Sequence, residues 1–352
     1  MNMDGNGMRM TNNGRRRRQF AGALAAATCA ATLAPLASTG AAQAQVMARS
    51  PQATTPLQIS AVVADAADPF YLTMHCGAVE AAKKYNVSLT WQGSTSVDYQ
   101  PEVSILNAVE LKKPAGIILA PFSPTAFISP VKSLMSGGTP VVTVDGSLSQ
   151  PVELENVRTD NFPAGELAAD MLGQALGGKG TVGVITFAPG LPVEAARVNG
   201  FRAEMAKKYP HVTVLATEYG GADAGKSATI TSGLIASHPG LAGIYATDTN
   251  DAEGASSAVR AAGDLGTIKV VAYDAAPEEV QALKSGLFSA LIAQEPYQEG
   301  YRAVQVLAEY LRHQISKAQI PYYYPTGAAL VTKANVSSPQ VVHTILYRTT
   351  CS

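Results

Sequence analysis

From Leu57 onward the chain repeats one pattern: a short apolar run rich in β-branched residues, a turn, then a helix with one apolar face. Leu57 to Ala64 (LQISAVVA) is the first run, closed by Asp65 and by Asp68-Pro69. Met74, Ala78, Ala81, Ala82 and Tyr85 then recur at three- and four-residue intervals, with Glu80, Lys83 and Lys84 on the opposite face, and predict the first helix. Further strands are predicted near 87–91, 115–120, 139–144, 180–187, 211–216, 241–246 and 268–273. Helices are predicted near 101–112, 125–136, 162–176, 193–208, 224–237, 250–262 and 276–285. Strands that are apolar throughout have both faces buried, and the helices between them supply the cover. The expected fold class is therefore α/β, doubly wound around parallel sheets.

The pattern occurs twice. Lys113 to Ala120 (KPAGIILA) is answered by Pro239 to Ala246 (PGLAGIYA), and Gly138 to Asp145 (GTPVVTVD) by Gly266 to Asp274 (GTIKVVAYD). The spacing between partners is nearly the same in both pairs, as two similar lobes in tandem would give. In each lobe an apolar strand ends abruptly in an acidic residue, Asp145 or Asp274. Ligands of open parallel sheets bind at the carboxyl ends of the strands, so both carboxylates stand where a ligand would lie.

The first fifty residues follow a different rule. Arg15 to Arg18 form a cationic block, Phe20 to Ala37 is Ala/Leu-rich, and Ala42-Gln43-Ala44 has the small-x-small form of a cleavage site, which together predict a cleaved export signal over 1–44. Arg17-Arg18-Gln19-Phe20 favours the twin-arginine type over general secretion, although the usual downstream Lys is missing. Thr28, Thr32, Pro35 and Ser38 interrupt the apolar run and argue against a retained anchor. Residues 45–56, rich in Pro, Gln and Thr, are expected to form a flexible leader. Cleavage would remove five of 26 basic residues but only one of 27 acidic ones, leaving a formal charge of about −5. With no basic block beyond the leader, nucleic-acid binding is not expected.

Catalytic patterns are weak. There is no Gly-x-Ser-x-Gly elbow, and Gly177-Gly178-Lys179-Gly180 lies between a helix end and a strand, the wrong context for a phosphate loop. No Gly-x-Gly-x-x-Gly follows the first strand, where a dinucleotide cofactor would need it, and the five histidines have no metal-ligand spacing. No cofactor and no metal are expected. The strand ends instead collect groups that bind hydroxyls: carboxylates accept from vicinal hydroxyls, amides give and accept, Arg donates in a fixed fork, and aromatic rings cover C–H faces. Asp68, Phe70, Tyr71, Asp145, Arg197, Asp248, Asp274 and Gln294 would make such a site. Taken singly, a strand-end Asp is more often a helix cap.

Six stretches in order resemble a known family. They are Asp68 to Tyr71 (DPFY), Pro140 to Asp145 (PVVTVD), Ala195 to Phe201 (AARVNGF), Ala246 to Ala255 (ATDTNDAEGA), Val270 to Asp274 (VVAYD) and Ala290 to Gln294 (ALIAQ). From about Leu57 to Lys333 the chain resembles the periplasmic sugar-binding proteins of the ribose/galactose type, the solute receptors of ATP-driven ABC importers. The resemblance implies two lobes joined by a three-strand hinge, one from 57–159 plus 295–326 and the other from 160–294 plus 327–340, with a monomer closing on its ligand. It implies Phe70 and Tyr71 as stacking rings, Asp68 as a polar contact, and Asp145 and Arg197 as hydroxyl binders on opposite lobes. Asp248, Asp274 and Gln294 complete the set. Ala120, Gly146 and Ala222 stand where the ribose pattern has Asn, Arg and an aromatic residue, which argues against ribose itself. One Arg among four Asp residues favours a neutral sugar or polyol over an anionic one.

The implied partner is the membrane permease of an importer, and the implied location is the periplasm. On the same fold, a receptor for a furanosyl signal of the autoinducer type or a chemotaxis ligand presenter is the alternative, carried by Tyr219 to Asp223 (YGGAD) and Gln92 to Thr95 (QGST). A periplasmic enzyme is a further alternative. A transcription regulator would need a helix-turn-helix before Leu57, in the space the leader occupies. Trp91 is expected to pack in the core or at the rim rather than wall the site. Of three cysteines, Cys29 falls in the leader, and Cys76 and Cys351 remain. An oxidising compartment predicts a Cys76–Cys351 disulfide pinning an apolar tail, 341–352, to the first lobe.

Overall fold

The computed structural model describes residues 55–95 and 98–351. The predicted signal over 1–44, with Cys29, and all but the last two residues of the 45–56 leader lie outside them. In chain order the first half comprises β1 (Leu57–Val63), α1 (Pro69–Lys84), β2 (Val87–Gly93), α2 (Tyr99–Glu110), β3 (Gly116–Leu119), α3 (Ile128–Ser136), β4 (Val141–Val144), β5 (Glu155–Thr159) and α4 (Asn161–Ala175). There follow β6 (Lys179–Thr186), α5 (Pro192–Lys208), β7 (His211–Tyr219), α6 (Ala224–Ser237), β8 (Leu241–Ala246), α7 (Thr249–Ala261), β9 (Lys269–Tyr273), α8 (Pro277–Ser285) and β10 (Ala290–Gln294). The chain closes with α9 (Pro296–Leu311), β11 (Tyr323–Thr326), β12 (Ala328–Val331) and α10 (Pro339–Thr344).

The strands form two sheets with one topology. The first runs β2-β1-β3-β4-β5-β11, all parallel; the second runs β7-β6-β8-β9-β10-β12, with β12 antiparallel to β10. The two echoed segments are β3–β4 in one sheet and β8–β9 in the other, at equivalent places. The chain passes between sheets three times, after β5, after β10 and between β11 and β12. Every residue of β3, β4 and β10 is buried, as a sheet covered on both faces requires.

Helix starts follow local chemistry. Asp68, Asp98, Asp223 and Asp248 cap α1, α2, α6 and α7 by accepting from backbone N–H groups in the first turn. Three helix pairs approach closely through glycine. A Cβ at Gly165 of α4 would collide with the Arg197 carbonyl, and one at Gly200 of α5 with the Phe162 carbonyl. On the first sheet, Gly77 of α1 faces the Tyr297 carbonyl and Gly300 of α9 the Met74 carbonyl. In the second lobe a Cβ at Gly254 of α7 would likewise collide with the Ala224 carbonyl of α6, and the α4–α5 pair brings Asn161 within reach of Arg197.

Six elements go beyond those predicted from sequence: β5, β10, α9, β11, β12 and α10. The first is polar for a buried strand, with Glu155 and Asn156 fully inside, and it is stable there because Arg302 of α9 pairs with Glu155 at 2.7 Å. The long helix α9 carries a complete apolar stripe, Gly300, Ala303, Val304, Leu307 and Ala308.

The tail is held as the sequence predicts. Cys76 and Cys351 form a disulfide with Cα atoms 5.0 Å apart, and Val341, Ile345 and Leu346 pack on the main apolar core.

Gly200→Ala is expected to lower the unfolding free energy by about 1–3 kcal/mol through overpacking of α5 on α4, read as a shifted denaturant midpoint. An unchanged midpoint would show that the pair can separate at no cost.

Candidate functional site

The carboxyl ends of both sheets face one cavity of about 280 Å³, and all eight residues singled out in the sequence line it. Asp68, Phe70 and Tyr71 come from the start of α1, Asp145 follows β4, and these belong to the first sheet's lobe. Arg197 stands on α5, Asp248 precedes α7, Asp274 follows β9 and Gln294 ends β10, all in the second. Phe122 and Phe187 also line the cavity and meet edge-on, with ring centroids 5.7 Å apart, one ring from each lobe. Trp91 is not among the lining residues; it stacks on His75 at 4.8 Å.

Asp145 and Asp274 are held in the same unusual way. Both have positive φ, 57° and 83°, a region that side chains other than Gly enter at some cost and that Asp tolerates better than most. The reversal turns each carboxylate off the end of its strand and into the cavity. Tyr71 Oη donates to Asp145 Oδ2 at 2.6 Å, and the backbone N–H of Asp145 donates to Glu299 Oε2 at 3.1 Å. Gln294 Nε2 donates to Asp274 Oδ1 at 2.7 Å. Tyr71 therefore orients a carboxylate as well as presenting a ring, which packs edge-on to Phe70 at 5.1 Å.

Arg197 is 4% exposed, so its ion pair is not a surface one. Nε donates to Asn161 Oδ1 at 2.8 Å, and Nη1 donates to Glu194 Oε1 at 3.0 Å and to the Thr247 carbonyl at 2.8 Å. Its guanidinium lies 3.8 Å from the Tyr273 ring centroid. These contacts fix Nε and Nη1, and Nη2 carries none of these bonds. Glu194, which the sequence offers only as a salt-bridge partner, lines the cavity and accepts from Thr186 Oγ1 at 2.8 Å as well. Tyr347 of the tail is the second residue the sequence reading missed, and it too lines the cavity. A side chain at Gly146 would meet the Pro121 carbonyl, so the glycine fits a close backbone approach where the resembled pattern has Arg.

Among the described residues no group of His, Cys, Asp or Glu is placed to hold a metal ion, and no helix is long and apolar enough to cross a membrane. Burial dominates the electrostatics. It pushes the Asp68 carboxyl up to about 7, against the Phe70 N–H that favours its charge. It pushes Asp145 up to about 6, where Tyr71 and Arg197 oppose the rise. Burial, and then the adjoining carboxyl of Asp251, push the Asp248 carboxyl well above the usual range. Away from the cavity, burial raises Glu102 and Glu299 to about 8 each. All of these groups titrate higher when folded than in an open chain, so the folded state holds the extra protons. Stability from this source is complete below about pH 4 and is lost as pH rises through the folded values. The melting temperature is expected to fall between about pH 4 and about pH 8, with a shallower fall in Glu299→Gln. A flat or rising profile would contradict these assignments.

Comparison with known proteins places this geometry. Residues 59–315 match the family model described as a periplasmic binding protein domain. A solute-binding protein of an ABC transporter from Agrobacterium vitis, solved with α-D-tagatopyranose, is 35% identical, with a TM-score of 0.78 over 83% of this chain and 99% of that one. One from Agrobacterium radiobacter, in complex with D-arabinose, is 28% identical, with a TM-score of 0.76 over 83% and 99%. The ribose import binding protein of Salmonella typhimurium is 27% identical over 78% of this chain and 90% of its own length. Two like-wound lobes, three crossings, a cleft at the strand ends and a family match over most of the chain agree, and the chain belongs to the periplasmic binding protein family.

Proposed function

We propose that this protein captures a neutral monosaccharide or a related polyol between its lobes and presents it to the membrane permease of an ATP-driven importer. The observation that carries the reading is the convergence of the eight predicted residues, from six separate places in the chain, on one small cavity. Its volume lies at the low end for small-molecule sites, roughly 300–1,000 Å³, which suits a single sugar ring. Asp145, Asp274, Arg197 and Gln294 would take hydroxyls, and Phe70 would cover a C–H face. Glu194 already consumes part of the charge of Arg197, and the surrounding Asp residues disfavour a phosphate or carboxylate ligand. The bound sugars of the relatives, tagatopyranose and arabinose among them, support the same class. Export by the N-terminal signal, with the twin-arginine route favoured by Arg17-Arg18, would bring the protein to the periplasm, where the family acts.

A thermal-shift panel of D-tagatose, D-arabinose, D-ribose, D-allose and open-chain polyols tests the reading. A ligand at a hundred times its dissociation constant adds about 2.7 kcal/mol of stability, a shift that Asp145→Ala and Arg197→Ala should abolish. The absence of any shift across the panel would remove the sugar assignment.

Binding should also move protons. Hydroxyl donors favour ionised carboxylates, so affinity is full above the Asp68 and Asp145 values, about 7 and about 6, and weakens as pH falls through them. Titration calorimetry at pH 6.5 in two buffers of different ionisation enthalpy should register net proton release on binding. Proton uptake would mean that the ligand prefers the neutral acids.

A further inference from the structure

The C-terminal segment does more than pack. Tyr347 Oη donates to Asp274 Oδ1 at 2.7 Å and accepts from the backbone N–H of Gln294 at 3.2 Å. Its own N–H donates to the Ala275 carbonyl at 3.1 Å, and its ring meets Phe70 edge-on with centroids 5.8 Å apart. One side chain of the tail thus touches the Asp274 carboxylate and the Gln294 backbone in the second lobe and an aromatic ring of the first, from within the cavity wall. One residue later the chain is fastened to the first lobe: the Arg348 N–H donates to Thr73 Oγ1 at 2.6 Å, and the Arg348 guanidinium lies 5.1 Å from the Tyr297 ring centroid. Cys351 then joins Cys76, also on α1, through the disulfide.

We propose that Tyr347 is a specificity-determining residue of the ligand site, held there by a disulfide-anchored strap that forms a fourth connection between the lobes. The proposal rests on the sugar-binding reading above and adds to it the element that sizes the cavity. With its hydroxyl tied to the Asp274 carboxylate and to the Gln294 backbone N–H, Tyr347 orients the carboxylate that in turn holds the Gln294 amide, and it occupies space beside Phe70 that a second sugar unit would need. The strap is short. Four residue steps separate Tyr347 from Cys351, a reach of at most about 14 Å, so the lobes can part only as far as this tether allows unless Tyr347 leaves Asp274.

The test is calorimetric titration of the wild-type mature protein, Tyr347→Phe, Tyr347→Ala and the double variant Cys76→Ser/Cys351→Ser with D-tagatose, D-arabinose, D-ribose, D-allose and a disaccharide, sucrose. Tyr347→Phe keeps the ring and loses a hydrogen bond to a carboxylate, and should weaken the preferred monosaccharide roughly tenfold. Tyr347→Ala should weaken it further and alter the ranking of the sugars, with relative gains for the larger ones. Wild-type affinity with both Tyr347 variants within twofold and the ranking unchanged would overturn the proposal. Should Tyr347→Ala fail to fold, Tyr347→Phe decides. A wild type that binds no sugar sinks the sugar reading instead, and the strap is then judged without ligand. Small-angle scattering should give a larger radius of gyration after dithiothreitol, with no change in the double variant; an identical radius before and after reduction would overturn the fourth connection.

Discussion

A parallel sheet buried on both faces leaves its polar groups almost nowhere to go except beyond the ends of its strands. Both sheets here obey that constraint, and much of the molecule's chemistry follows from it. β3, β4 and β10 admit no exposed side chain, so carboxylates collect where β4 and β9 stop. Backbone reversal at Asp145 and Asp274 then aims them at the space between the lobes. The cost of that reversal and of carboxylate burial is met by neighbours already in place, Tyr71 and Glu299 for one residue and Gln294 and Tyr347 for the other.

Glu299 shows how closely site and hinge are joined. From the first turn of α9 it accepts from Thr159 Oγ1 at 3.1 Å, at the end of β5, and from Thr326 Oγ1 at 3.2 Å, at the end of β11, while its other oxygen takes the Asp145 N–H. All three passages of the chain between lobes therefore meet at one carboxyl, which also holds the backbone of a cavity residue. Any relative movement of the lobes is felt there without an intervening layer of packing.

The fold was legible in the sequence because its grammar is local. Apolar runs, turn residues and amphipathic spacing each span fewer than twenty residues, and the repeat of β3–β4 in β8–β9 is visible by simple comparison. The strand-end acids were legible for the same reason, and Asp68 and Asp248 turned out to be both helix caps and cavity residues, two readings that need not compete. What stayed hidden depends on distant pairing. Nothing near Tyr347 signals Asp274, and nothing near Glu299 signals Asp145. Strand β5 escaped because its interior Glu155 is neutralised by Arg302, on a helix far along the chain. Glu194 was visible as a residue but not as a wall, since the helix that carries it had first to be laid against the cleft.

The disulfide has a topological meaning separate from its energy. By joining Cys76 to Cys351 it encloses β2 through α10, and with them the whole second lobe, in a single covalent ring. A single backbone cut anywhere between the two cysteines therefore leaves one covalently connected molecule rather than two fragments.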